Sequence, residues 1–123
     1  MTLNLTVFFT VLNSLKIHHW QTNSYAEHKA LGTAYDKLDA LFDTFIELYY
    51  GSRGFPTTDA SYKITLSSYS GGLIAFYRNV KQEVVEYLNS VANNSGDLRN
   101  ICDEIEGEFS HLLYRLNQGG CCN

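Results

Sequence analysis

Apolar side chains recur at helical spacing in four segments of this chain, and three stretches rich in helix-breaking residues separate them. The segments cover about residues 4–21, 24–51, 72–91 and 97–118, with Ser95 as an alternative cap for the last. The single proline, Pro56, lies in the longest separating stretch. Because proline breaks helix interiors, its absence elsewhere permits long helices. The pattern therefore predicts an all-α chain.

The lengths of the connections predict how these helices are arranged. Short polar stretches join the first helix to the second and the third to the fourth, so each pair is expected to be antiparallel. The connection 51–72 is long enough to span the bundle, and its residues 62–66 alternate as a short extra element would. A chain of 123 residues has the size of one domain. We therefore predict that residues 1–123 form a single ferritin-like four-helix bundle, with one long crossover between helices two and three.

Two local signals set the expected ends of the second helix. Ser24 and Glu27 have the spacing of a capping box at its start, and Gly51 is expected to end it.

Charge and composition restrict the partners. The chain has 9 Lys and Arg against 13 Asp and Glu, a net charge of -4, which disfavours direct binding to nucleic acid. No apolar run approaches the ~20 residues of a membrane span, and no basic N-terminal region indicates a signal peptide, so a cytoplasmic location is expected. The cysteines, Cys102, Cys121 and Cys122, are expected to be reduced. For the last two, a flexible tail, a metal-binding tail and an intermolecular crosslink all stay open.

The second helix carries a polar stripe directly beside its apolar face. At 100° per residue, the stripe spans a sector of about 100°. It contains His28, Gly32, Asp36, Asp39, Asp43 and Glu47, and the apolar face contains Leu31, Tyr35, Leu38, Phe42, Phe45 and Tyr49.

Within this stripe, Asp43 and Glu47 project together because they are four residues apart, and both offer hard oxygen ligands. His28 lies roughly 22 Å from Asp43 along the axis, so one chain cannot bring both to one metal ion. A second copy packed antiparallel about a two-fold axis could, and it would create two such sites. Gly32 would then allow the two helices to approach closely. A solvated acidic face is the alternative interpretation of the same stripe.

The chain resembles the Dps-type miniferritins, ferritin-like proteins of starved bacteria, over roughly residues 12–54. That family has a His-Trp pair closing its first helix, a second histidine early in helix two, and an Asp-x-x-x-Glu about four turns later. The matching residues are Leu15-Lys16-Ile17-His18-His19-Trp20, His28, Tyr35, Leu38, Leu41, Asp43 and Glu47.

The resemblance implies an intersubunit ferroxidase centre, with His19 and His28 from one chain and Asp43 and Glu47 from its two-fold mate. Fe(II) would be oxidised there, at a mononuclear or di-iron site, preferentially by hydrogen peroxide, and ferric mineral would collect inside a hollow cage. Imidazole and carboxylate ligands together accept iron and leave positions for the oxidant. Trp20 would pack beside the site or quench stray oxidising equivalents.

Other implications of the resemblance concern accessory residues and assembly. His18 is expected as a secondary ligand or a surface residue, and Asp39 as an accessory carboxylate. The family implies an antiparallel dimer within a twelve-subunit cage, while a dimer alone or another assembly stays open. The basic N-terminal tail with which many relatives bind DNA is missing. Bacteriophages also encode very short chains of this type, so both a bacterial and a phage-infected cytoplasm are expected locations.

Two other functions and one other site are competing hypotheses. The chain could be a structural or assembly protein, for example of a phage, with a vestigial metal site, or it could sequester metal without oxidising it. The fourth segment contains Glu108-x-x-His111, a motif of bundle-core di-iron proteins. Such proteins have the motif on two helices, whereas this chain has it once.

Overall fold

The computed structural model describes residues 3–54 and 61–121, with the backbone alone for 119–121. Four helices make up almost all of this part of the chain, and its residues form no strand. The helices are α1 (Leu5–Gln21), α2 (Tyr25–Arg53), α3 (Leu73–Ala92) and α4 (Gly96–Cys121). The prediction of an all-α chain with four helices is therefore confirmed. Pro56 and Cys122 lie outside the described residues, as does the side chain of Cys121.

The beginnings of α1 and α2 follow from their capping residues. The side chain of Asn4 accepts from the backbone N–H of Thr6 at 3.2 Å, and that of Ser24 accepts from Glu27 at 3.2 Å. The second arm of the expected capping box differs. The carboxylate of Glu27 accepts from the hydroxyl of Thr22 at 2.6 Å. The hydroxyl oxygen of Thr22 in turn accepts from the backbone N–H of Ser24 at 3.1 Å. One intervening hydroxyl therefore replaces the direct contact.

The end of α2 differs from the prediction, because the helix passes through Gly51 and ends at Arg53. The side chain of Arg53 lies 4.6 Å from the centre of the buried Tyr49 ring, a contact that supports the extra turn. Gly54 follows with a φ of 92°, a conformation that glycine adopts without steric cost. The helix thus ends directly before Gly54, the glycine that adopts the positive φ.

The core forms where the predicted apolar faces meet. α2 packs between α1 and α4, and α4 packs on α2 and α3. Phe8 of α1 meets Phe42 of α2 edge to face, with ring centres 5.1 Å apart. The apolar face predicted for α2 is buried except for Tyr35, which is half-buried. Other large buried side chains are Leu15, Tyr77, Leu88, Leu98, Ile105, Phe109 and Leu112.

Contacts at both ends of α1 show that α1 and α3 run in opposite directions. The backbone N–H of Asn4 donates to the hydroxyl of Tyr87 at 2.7 Å, near the end of α3. At the other end of α1, the ring of His18 lies 2.6 Å from the hydroxyl of Tyr77, near the start of α3. The short turn at 22–24 also makes α1 antiparallel to α2, so α2 and α3 point the same way.

The described part of the long connection lies along α1. The Tyr62 ring centre is 6.5 Å from that of Phe9, and the backbone N–H of Tyr69 donates to the side chain of Gln21 at 2.6 Å. Residues 61–70 therefore extend from the first half of α1 to its end. They contain neither helix nor strand, so the alternation at 62–66 does not produce a regular element. No helix among the described residues is long and apolar enough to cross a membrane.

Candidate functional site

The rings of His19 and His28 stack on one another where α1 turns into α2. Their centres are 3.7 Å apart and their planes differ by 18°. Nδ1 of His19 lies 2.7 Å from the carbonyl oxygen of His28, and Nδ1 of His28 lies 2.8 Å from the carbonyl oxygen of His19. Each histidine therefore bonds to the backbone of the other, and both rings are half-buried.

This reciprocal arrangement determines which nitrogen carries the hydrogen. A carbonyl oxygen can only accept, so both Nδ1 atoms donate. In each neutral ring Nε2 then keeps its lone pair, which is the form of imidazole that binds metals. Metal-binding histidines are commonly oriented by an N–H···O=C bond of this kind. The pair thus presents two Nε2 lone pairs, on rings that the hydrogen bonds of their Nδ1 atoms hold in a fixed orientation.

Gly32 makes room for this pair within the chain. A Cβ atom at that position would lie 2.9 Å from Cε1 and 3.2 Å from Nδ1 of His19. Such distances are shorter than van der Waals contact, so a larger residue would displace the ring. The sequence predicted Gly32 as a contact between two copies of the helix. The structure gives it a role inside one chain, as the surface on which the His19 ring lies.

The carboxylates of the predicted site lie farther along α2. Asp39, Asp43 and Glu47 are exposed, and none has a hydrogen bond or ion pair with the rest of the described chain. Asp39 and Asp43 line a groove of about 220 Å³ between α1 and α2. The other lining residues are apolar, namely Leu5, Phe8, Phe9, Leu12, Phe42 and Ile46. The structure therefore brings His19 and His28 together and leaves the carboxylates in a separate place.

No group of three His, Cys, Asp or Glu within residues 3–54 and 61–118 could hold a metal ion. A chain by itself thus offers the two imidazoles at one end of α2 and the carboxylates at the other. Any site that uses all four predicted ligands would need a second chain.

Trp20 lies on the surface next to this histidine pair. Its side chain is 68% exposed, and that of Tyr25 is 73% exposed, which is unusual for large aromatic residues. The ammonium of Lys16 lies 5.8 Å from the centre of the Trp20 ring and 4.4 Å from that of Tyr35. Lys16, Trp20 and Tyr35 thus form one cluster, and Trp20 follows His19 directly in the chain.

His18 faces the interior, away from this surface. It is 2% exposed. Its Nε2 donates to the carbonyl oxygen of Ser67 at 2.9 Å, and its Nδ1 accepts from the hydroxyl of Tyr77 at 2.6 Å. Both nitrogens are therefore engaged within the chain, so His18 joins α1 to α3 and to the long connection.

The Glu-x-x-His motif of α4 lies on a different face. Glu108 is 3.8 Å from Nδ1 of His111 and 4.0 Å from the ammonium of Lys37 on α2. These three residues line a shallow groove between α2 and α4, together with Ala40, Leu41, Glu104 and Gly107. The motif thus faces the outside of the bundle, unlike the inward motifs of bundle-core di-iron proteins.

Two hydroxyl contacts that sequence reasoning missed hold the histidine end together. The hydroxyl of Tyr69 donates to Glu27 at 2.8 Å, and this bond raises the pKa of the Tyr69 hydroxyl, with partial burial adding to the effect. Burial raises the pKa of Tyr77 strongly. Both contacts join residues more than forty positions apart. Helical periodicity reports only local neighbours and therefore contains no signal for them.

Comparison with known proteins gives a family without a function. No curated protein and no solved structure matches the chain. One family model, described as a family of unknown function (DUF5856), matches residues 19–116. The matched region begins at His19 and includes His28, Asp43 and Glu47. Because the match covers most of the sequence, the chain belongs to this family.

Proposed function

We propose that this chain is a Dps-like miniferritin, which binds and oxidises Fe(II) at a site shared between two copies. The observation that carries the proposal is the stacked pair of His19 and His28. Both Nδ1 atoms are bonded to backbone carbonyl groups, so both Nε2 atoms are available to a metal ion. This orientation exists in the isolated chain and is typical of metal-binding histidines.

The directions of the helices support the ferritin-like part of the proposal. Because α2 and α3 point the same way, the connection between them returns along the bundle, and residues 61–70 lie beside α1. One long crossover of this kind is typical of ferritin-like bundles. These observations support the finer proposal of a ferritin-like bundle with the crossover between α2 and α3.

The remaining ligands would come from a second copy. In an antiparallel pair, the carboxylates of Asp43 and Glu47 of one chain lie opposite His28 of the other. Their exposure and lack of partners within the described chain leave them available for this role. Nitrogen and oxygen ligands in such a mixture suit iron and leave positions for an oxidant.

Iron is the substrate of the proposed reaction. Two Fe(II) ions give up one electron each and reduce one hydrogen peroxide to two hydroxide ions. The negative carboxylates stabilise the additional positive charge of the Fe(III) product. Trp20, which is exposed and follows His19 in the chain, would intercept oxidising equivalents that escape. Iron storage or detoxification would be the result.

A structural role is the second candidate, and one observation favours it. The two Nδ1 bonds between His19 and His28 fasten the α1–α2 turn whether or not a metal ion is present. A chain that uses these histidines only for architecture would serve as an assembly protein with a vestigial metal site.

Iron oxidation by a carboxylate double variant distinguishes the two candidates. We expect the native chain to accelerate formation of Fe(III) from Fe(II) with peroxide or air, followed by absorbance of the ferric product. Asp43→Ala with Glu47→Ala should abolish the acceleration and leave the helical circular dichroism intact. The matched control, Asp103→Ala with Glu106→Ala, removes two exposed carboxylates from α4 and should retain it. Equal acceleration by all three proteins would overturn the assignment of Asp43 and Glu47. The structural role would be favoured if none of them oxidises Fe(II) faster than buffer alone.

A further inference from the structure

We propose that a divalent metal ion controls the pairing of this chain with a second copy, so that the chain assembles when metal is present and separates when it is removed. The inference rests on the proposed function, because it concerns the same four residues. It adds a regulatory role for the ion. The ion is a substrate of the site and also the link that holds the site's two halves together.

The first argument is the division of the ligands. The two imidazoles lie at one end of α2, and no group of three metal-binding side chains forms within the described residues. An ion with more than two protein ligands of the proposed set must therefore touch two chains. Ligand binding and chain association are then linked, and each strengthens the other by the same factor.

The second argument is the charge pattern along the α1–α2 face. Lys16 and the two imidazoles lie at one end, together with the exposed ring of Trp20. At the other end lies the groove of about 220 Å³ with acidic Asp39 and Asp43 on apolar walls. An antiparallel two-fold pairing sets each end against its opposite on the second copy. The face therefore suits a second copy of this chain as its occupant.

The third argument is the charge at the two-fold axis itself. When His28 lies opposite Asp43 and Glu47 of a second α2, the axis passes close to the residue midway between them, which is Asp36. Asp36 is exposed and belongs to the same stripe as these ligands. A residue at a two-fold axis meets its own copy, so two carboxylates come together there. Each chain also has a net charge of -4.

Repulsion between the two copies of Asp36, added to the net negative charge of both chains, therefore opposes pairing in the absence of a cation. Two divalent ions bound between the chains offset this repulsion and add ligand bonds on both sides of the axis. The metal-free chain should thus be largely monomeric at concentrations where the metal-loaded chain is paired.

The test measures molecular mass in solution by sedimentation with Zn²⁺ and with EDTA. Zinc has no redox chemistry, so the readout is independent of iron oxidation. We expect at least a tenfold tighter association with Zn²⁺. His19→Ala with His28→Ala should lose this response, as should Asp43→Ala with Glu47→Ala. Mixing the two variants should restore it, because one mixed pair contains one complete site.

Asp36→Asn provides a second measurement that does not depend on metal. In EDTA this variant should associate about two- to fivefold more tightly than the native chain, because the exposed like charges at the axis are gone. The matched control, Asp103→Asn, removes an exposed charge from α4 and should not change the association.

An assembly with the same dissociation constant in Zn²⁺ and EDTA would overturn the inference. If that assembly still oxidises Fe(II), the proposed function stands and only the metal control of pairing fails. If pairing requires Zn²⁺ but the paired chain does not oxidise Fe(II), the inference is supported and the proposed enzymatic activity is overturned.

Discussion

The two ends of α2 carry the two halves of the proposed site, and their surroundings differ. At the first end, His19 and His28 stack on one another, bond to backbone carbonyl groups and lie against Gly32. At the other end, Asp43 and Glu47 are exposed and have no partner within the described chain. Contacts within the chain therefore orient the imidazole nitrogens before any metal ion binds, whereas no such contact orients the carboxylate oxygens. Substitutions that affect only one end test this difference.

The largest expected effect is on folding stability at the histidine end. His18→Ala removes a buried ring and leaves the hydroxyl of Tyr77 without its partner. We expect a loss of about 2–4 kcal/mol in the free energy of unfolding, measured with urea. Asp43→Ala, at the exposed end, should change it by less than about 0.5 kcal/mol. Similar losses in the two variants would contradict the difference between the two ends.

Alkaline pH should also destabilise the histidine end. Burial raises the pKa of Tyr77, so above pH about 10 the folded chain keeps a proton that the unfolded chain has lost. Below pH about 10 the Tyr77 hydroxyl is protonated in both the folded and the unfolded chain, so it causes no change in stability with pH. Above that pH, the free energy of unfolding should fall by up to about 1.4 kcal/mol per pH unit. Unfolding free energies measured as pH rises should show this slope.

Variants identify the tyrosine responsible for the alkaline slope. Tyr77→Phe should reduce the slope, and any remainder should come from the other groups whose pKa is raised, namely Cys102, Tyr50 and Tyr69. Tyr114→Phe removes a hydroxyl from a side chain that is 63% exposed and should keep the native slope. An unchanged slope in Tyr77→Phe would show that another group is responsible.

Gly32→Ala separates the geometry of the histidine pair from the stability of the fold. The added Cβ displaces the His19 ring, and affinity for Zn²⁺ should fall about tenfold, as measured by calorimetry. Stability should change by less than about 1 kcal/mol, because alanine is the better helix former.

Gly51→Ala is the matched control for Gly32→Ala, since no atom lies within 4 Å of a Cβ at that position of α2. It should gain stability through the same helix propensity and leave Zn²⁺ affinity unchanged. Loss of Zn²⁺ affinity in both variants would argue that helix geometry, rather than the contact with His19, determines binding.

Much of the fold could be predicted because its causes are local. Apolar spacing located the four helices, and Ser24 identified the start of α2 from its own side chain. The end of α2 was predicted at Gly51 because glycine often ends helices. The helix instead continues to Arg53, because the side chain of Arg53 packs on the buried ring of Tyr49 one turn earlier.

The candidate site was predictable as a set of residue types, whereas its internal geometry was not. The positions of His19 and His28 were inferred from a family resemblance, but their exchange of backbone bonds depends on the shape of the turn. His18 was expected as a secondary ligand or a surface residue, but it lies in the core. One residue changes direction by about 100° on a helix, and this rotation turns His18 into the core.

The bonds between His19 and His28 connect residues only nine positions apart. Loops of about ten residues close within 10–100 ns, far faster than contacts between distant segments form. The oriented imidazole pair therefore requires only the first two helices and the turn between them. During synthesis, the stacked histidine pair can therefore form while α3 and α4 are still being made, before the chain has a complete core.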